Sequence, residues 1–162
     1  MSERDPAAGG PYPKTARARV ALAYEAYELA ELARASVPVS AHTPPGATLA
    51  EAAQLRRAAH RLLEAAAVYE RAAGADWRVI GAALNVSART ARQRFDAAEA
   101  RFHERLSCAD EPNGWRSYLL RHPLEAAQDL DDWVLRHQDG DSDLGDAPVS
   151  GPLLRPTPRG HP

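Results

Sequence analysis

The chain has 162 residues, enough for one compact domain with extensions. Its single cysteine, Cys108, excludes an internal disulfide framework, and no run of about 18 apolar residues offers a membrane span. The formal net charge of −2 argues against indiscriminate nucleic-acid binding.

The charge is unevenly distributed. Residues 1–53 carry five basic and six acidic groups, residues 54–106 ten and six, and residues 107–162 five and ten. The basic excess therefore lies in the middle of the chain, with an acidic segment after it. A DNA-binding region needs a local positive face rather than a basic whole. The N-terminus lacks the apolar stretch of a secretory signal, so the expectation is a cytoplasmic, nucleoid-associated protein.

Residues 1–13 contain Pro6, Gly9, Gly10, Pro11 and Pro13 and read as a flexible arm. Residues 14–107 read as one helical domain. Its first helix spans about residues 15–36, rich in Ala, Leu, Glu and Arg, with a broad apolar face that includes Val20, Tyr24 and Tyr27. Residues 37–47 form a Pro-rich linker. Thr48 and Glu51 have the spacing of a capping box and predict the start of a second long helix, which runs to Ala73 with Gly74 as its C-cap.

Asp76 is placed to cap a short third helix, in which Trp77, Ile80, Gly81 and Leu84 share one narrow face. Asn85 tolerates the left-handed backbone that a sharp turn requires, Val86 is a buried plug, and Ser87 is a strong N-cap. A fourth helix follows over about residues 88–106, with Ala91, Phe95, Ala98, Phe102 and Leu106 as its inner stripe. Residues 108–138 form a C-terminal helical extension, with Pro123 at the first position of its last helix. The Asp-, Gly- and Pro-rich residues 139–162 are expected to be a disordered acidic tail. No strand-like alternation occurs, so the fold class is all-α: a helix bundle of two long helices flanking a helix-turn-helix, with the small helical extension behind it.

The segment 76–95 resembles the helix-turn-helix of sigma factors and response regulators. Ile80 and Leu84 stand at the first helix's core positions, Gly81 at the small-residue crossing, Val86 in the turn, and Ala91 and Phe95 at the second helix's core positions. Asn85 replaces the family's usual glycine, and Ala91 is smaller than its usual valine. More broadly, the layout resembles that of small actinobacterial helix-turn-helix proteins. The resemblance implies sequence-specific binding to double-stranded DNA by a bacterial transcriptional regulator.

With Ala91 and Phe95 inward, the outward residues of the recognition helix are suited to that task. Ala88, Arg89, Arg92 and Gln93 are the candidate base contacts in the major groove, where Arg pairs with guanine, Gln with adenine and a small apolar group with the thymine methyl. Arg78, Ser87, Thr90 and Arg94 are the candidate phosphate contacts. One such motif buries little surface, so a homodimer or a protein partner is expected, with the tyrosine-bearing first helix as the dimerisation candidate.

The alternative is a protein-interaction adaptor, for example one contacting the transcription machinery, that uses the bundle without reading DNA. The six histidines show no metal-ligand spacing, and there is no phosphate loop or nucleophile elbow, so no cofactor, metal or catalytic role is expected. Glu125, Asp129 and Asp132 share a face of the last helix that reads as solvated. Trp115, Tyr118, Leu124, Leu130 and Trp133 either clamp the extension onto the core or form a surface for a partner or second subunit.

Overall fold

A computed structural model describes residues 12–107 and 114–154. Its elements are helices α1 (Lys14–Ala35), α2 (Ala47–Ala72), α3 (Trp77–Ala83), α4 (Ala88–Ser107), α5 (Trp115–Arg121), α6 (Pro123–His137) and α7 (Ser150–Leu154), with no strand among the described residues. The fold is all-α. No helix among these residues is long and apolar enough to cross a membrane. The expected arm over residues 1–13 lies almost wholly outside the described residues.

α1 and α2 form a long antiparallel hairpin. The Thr15 hydroxyl donates to the Ala72 carbonyl, which fixes the start of one helix against the end of the other. α2 begins differently from expectation. Gly46, at φ +86°, is its N-cap, and no side chain caps it. The Ala47 amide donates to Pro44 O and the Ala50 amide to Gly46 O, so the Pro-Pro-Gly turn itself starts the helix. Thr48 lies within the first turn, and the Thr48–Glu51 capping box does not form. At the other end Gly74, at φ +101°, follows the helix, and the Gly74 and Ala75 amides donate to Arg71 O and Glu70 O in a Schellman closure.

The core consists of three linked clusters. Ala67 of α2, Ile80 of α3 and Ala91 and Phe95 of α4 form the one beneath the helix-turn-helix. Ala18, Val68, Ala98, Phe102 and Leu120 join α1, α2, α4 and α5. Val20, Leu119, Ala126 and Ala127 join α1, α5 and α6. α1 is therefore enclosed between α2 on one side and α5–α6 on the other.

That enclosure places the tyrosine-bearing face of α1, the dimerisation candidate, against the C-terminal extension. Tyr24 packs on Trp115 at 4.6 Å between ring centres, and Tyr27 meets Trp133 edge-on at 5.4 Å. The Trp133 indole N–H donates to Glu31 Oε1 at 2.9 Å. The two tryptophans pack on the tyrosine face from within the same chain and leave Tyr24 and Tyr27 half-buried.

Within the segment expected to be disordered from residue 139 onward, residues around Val149 to Leu153 are packed on the helices. Asp131, buried on α6, accepts the Val149 amide at 2.6 Å, the Ser150 amide at 3.0 Å and the Ser150 hydroxyl. This carboxylate caps α7 and anchors it, and Val149 and Leu153 pack on the α1–α5–α6 cluster. Composition alone misses this because the anchor lies 18 and 19 residues upstream of the amides it binds.

Candidate nucleic-acid interface

The site is built from α3, the turn after it and the first half of α4. The Asp76 carboxylate accepts the Arg78 and Val79 amides at 2.9 and 3.0 Å, satisfying the free N–H groups that open α3. Those bonds, the Val79 amide foremost and the Arg78 guanidinium next, hold the Asp76 carboxyl below its ordinary value. Ile80 and Gly81 are the buried residues of α3.

The turn is fixed by three features. Asn85 has φ +55°, the only positive φ of a non-glycine residue among the described residues. The Val86 amide donates to Gly81 O at 2.9 Å. A Cβ on Gly81 would stand 2.7 Å from Val86 O and 3.1 Å from the Ser87 carbonyl carbon, so a side chain there would collide with backbone. The constraint on Gly81 thus comes from the turn as it folds back over α3. Val86 is half-buried, wedged against the cluster of Ile80 and Phe95 rather than sealed within it.

The Ser87 hydroxyl oxygen accepts the Thr90 amide at 3.1 Å and lies 2.9 Å from the Thr90 hydroxyl. Both residues stay exposed at the N-terminus of α4. Ala91 and Phe95 are buried, Phe95 almost completely, so the opposite side of α4 faces solvent. At about 100° per residue, Gln93 and Arg89 lie nearly opposite that buried stripe, while Arg92 and Arg94 flank it on either side. Ala88 is half-buried at the first turn.

Arg89, Arg92, Gln93 and Arg94 are exposed, and their side chains make no hydrogen bond or ion pair among the described residues. Several arginines elsewhere are ion-paired, whereas Arg56, Arg57, Arg105 and Arg121 are exposed and likewise without a partner among the described residues. Arg61 and Arg116 bind Glu25 and Glu28, Arg101 binds Glu64, and Arg71 binds Glu99. Arg78, the remaining candidate phosphate contact, is paired with Asp76 at 3.1 Å across a solvent-exposed contact. Such a pair is weak and exchanges readily for another anion.

Two residues that the sequence reading did not single out shape the site. Arg71 stacks over the Trp77 ring at 4.7 Å, pairs with Glu99 of α4 at 3.3 Å and donates to Ala75 O at 2.9 Å, so one side chain ties α2, α3 and α4 together. Its partners are brought together only by the fold, although the Arg71–Ala75 spacing of four is visible in sequence. Asp96 is exposed on α4 one turn after Arg92 and places a negative charge at the edge of the basic face. The net surplus of that face is therefore concentrated in residues 89–94.

No protein-family model, curated protein or solved structure matches the chain.

Proposed function

We propose that the chain binds double-stranded DNA by laying the first half of α4 in the major groove, as a sequence-specific transcriptional regulator. The observation that carries this reading is the set of three exposed arginines within six residues of one helix, without partners among the described residues and set directly after a tight turn. Arg89, Arg92, Gln93 and Ala88 are assigned to base edges, and Ser87, Thr90, Arg94 and Arg78 to phosphates. The helix N-terminus adds its own partial positive charge at the phosphate end. Binding is the mechanism: arginines displace counterions from the phosphates while the outward side chains read the groove.

Because one motif buries little surface, the proposal includes a second copy or a protein partner that supplies a further anchor. Anisotropy of a labelled mixed-sequence duplex at rising salt tests the reading. The expected outcome is a steep fall of affinity with salt that becomes shallower when Arg89 and Arg92 are both replaced by Ala. Absence of binding at low salt rejects it.

A second reading, a protein-interaction adaptor, draws on another observation. Val37, Val39 and Leu49 are exposed at the end of the α1–α2 hairpin remote from the α3–α4 turn, apolar groups that a protein partner would cover.

A further inference from the structure

Behind the basic face, α1, α2, α4 and α5 enclose a cleft of about 280 Å³. Its floor is apolar, formed by Val68, Ala98, Phe102 and Leu120 among others, and its rim carries four arginines and two glutamates. Most of this charge is internally matched. Glu25, buried on α1, receives Arg116 Nε at 2.9 Å and Arg61 Nε at 3.3 Å, and Glu28 pairs with Arg61 at 3.4 Å and with Arg116 at 3.6 Å. Glu64 receives Arg101 at 3.1 Å.

Arg105 is left over. It makes no ion pair or hydrogen bond with a side chain or carbonyl among the described residues, although it lines the same cleft. It retains solvent exposure, but partial burial first, and then the positive charges of Arg116 and Arg101, lower its affinity for its proton below the ordinary arginine value. A cation in that setting is stabilised by an anion placed among the three guanidiniums.

We infer that this cleft is a binding site for a small organic monoanion with an apolar body, whose carboxylate meets Arg105 beside Arg101 and Arg116 while its body rests on Phe102 and Val68. The size fits such a ligand. An apolar cavity of about 150 Å³ holds one benzene, so this cleft holds a body roughly twice that size. The mixture of an apolar floor with a few convergent polar groups is that of small-molecule sites generally. An inorganic anion would satisfy the arginines but leave the floor wet, and a neutral apolar molecule would leave Arg105 uncompensated.

α4 carries this site on its second half and the basic face on its first. The inference nevertheless stands apart from the DNA reading, because its test uses no DNA. Isothermal titration calorimetry of the full-length chain with 2-naphthoate at neutral pH is expected to give saturable binding, one ligand per chain. Replacing the carboxylate by the neutral amide, as 2-naphthamide, is expected to weaken binding tenfold or more, as is Arg105→Gln. The double variant Arg89→Ala/Arg92→Ala is expected to bind as the parent does, since those side chains are outside the cleft. Thermal melts establish that each variant is folded. No saturable heat up to millimolar 2-naphthoate overturns the proposal. So does equal binding by Arg105→Gln, by the amide or by inorganic phosphate alone, or a loss in the Arg89/Arg92 variant matching that in Arg105→Gln.

Discussion

The Val86 amide donates to the Gly81 carbonyl at 2.9 Å, and the Val86 carbonyl lies where a side chain on Gly81 would have to go. This contact sets how far the turn folds back and so the angle at which α4 leaves α3. Gly81→Ala is expected to destabilise the fold by about 1–3 kcal/mol, since backbone atoms must move to admit the methyl group. Gly140 has nothing within 4 Å of a built Cβ and no positive φ, so Gly140→Ala serves as the control and is expected to change stability by less than about 0.5 kcal/mol. Urea titrations of both variants check the pair.

Asp76 gives a pH-dependent contribution. Its carboxyl is held below its ordinary value of 3.8, so the ionised form is favoured by folding. The associated stability is therefore present above that ordinary value and lost as pH falls through the lowered value of the folded protein. Asp76→Asn keeps an acceptor for the α3 amides but removes the charge. The variant is expected to melt below the parent at neutral pH, and the gap in Tm is expected to close below pH 4. A gap that stays constant across that window assigns the effect to hydrogen bonding alone.

Arg89 and Arg94 separate base reading from phosphate anchoring under the proposed function. Arg94→Ala is expected to weaken binding to all duplexes alike and to reduce the slope of log affinity against log salt by about 1. Arg89→Ala is expected to cost about 1–3 kcal/mol on the preferred sequence and to relax the choice of base at one position. Binding selections from random duplexes, followed by salt titrations, distinguish the two. Both side chains are exposed and free of partners among the described residues, so neither change is expected to alter the melting temperature measurably.

Asp131 anchors the C-terminal segment. Asp131→Ala removes the acceptor for the Val149 and Ser150 amides and is expected to cost about 1–3 kcal/mol. It is also expected to release α7 from α6 while leaving α1–α4 in place. Hydrogen exchange read by mass spectrometry checks this: protection falls over residues 147–154 and persists over α2 and α4.

Local periodicity made much of this molecule legible. The buried stripe Ala91, Phe95, Ala98 and Phe102 follows directly from spacings of three and four, and so do Ile80 and Gly81 on the short α3. Asp76, Gly74, Asn85 and Ser87 act within five residues of their own positions, so their chemistry alone locates the caps and the turn. Thr48 and Glu51 satisfied the same kind of rule without forming a box, because the Pro44–Gly46 turn reached the helix start first.

The sequence by itself determined the all-α class, the order of helices α1 to α6 and the outward set Arg89, Thr90, Arg92 and Gln93. These depend on propensity and on a 3.6-residue period, both of which are local. Only the tertiary structure decided which apolar faces meet. It spent the Tyr24–Tyr27 face on Trp115 and Trp133, recruited Asp131 to hold residues some 18 positions later, and gathered Arg61, Arg101, Arg105 and Arg116 around one cleft. An amphipathic helix records that a face must be buried but not against what. That choice is set by the packing of several helices at once.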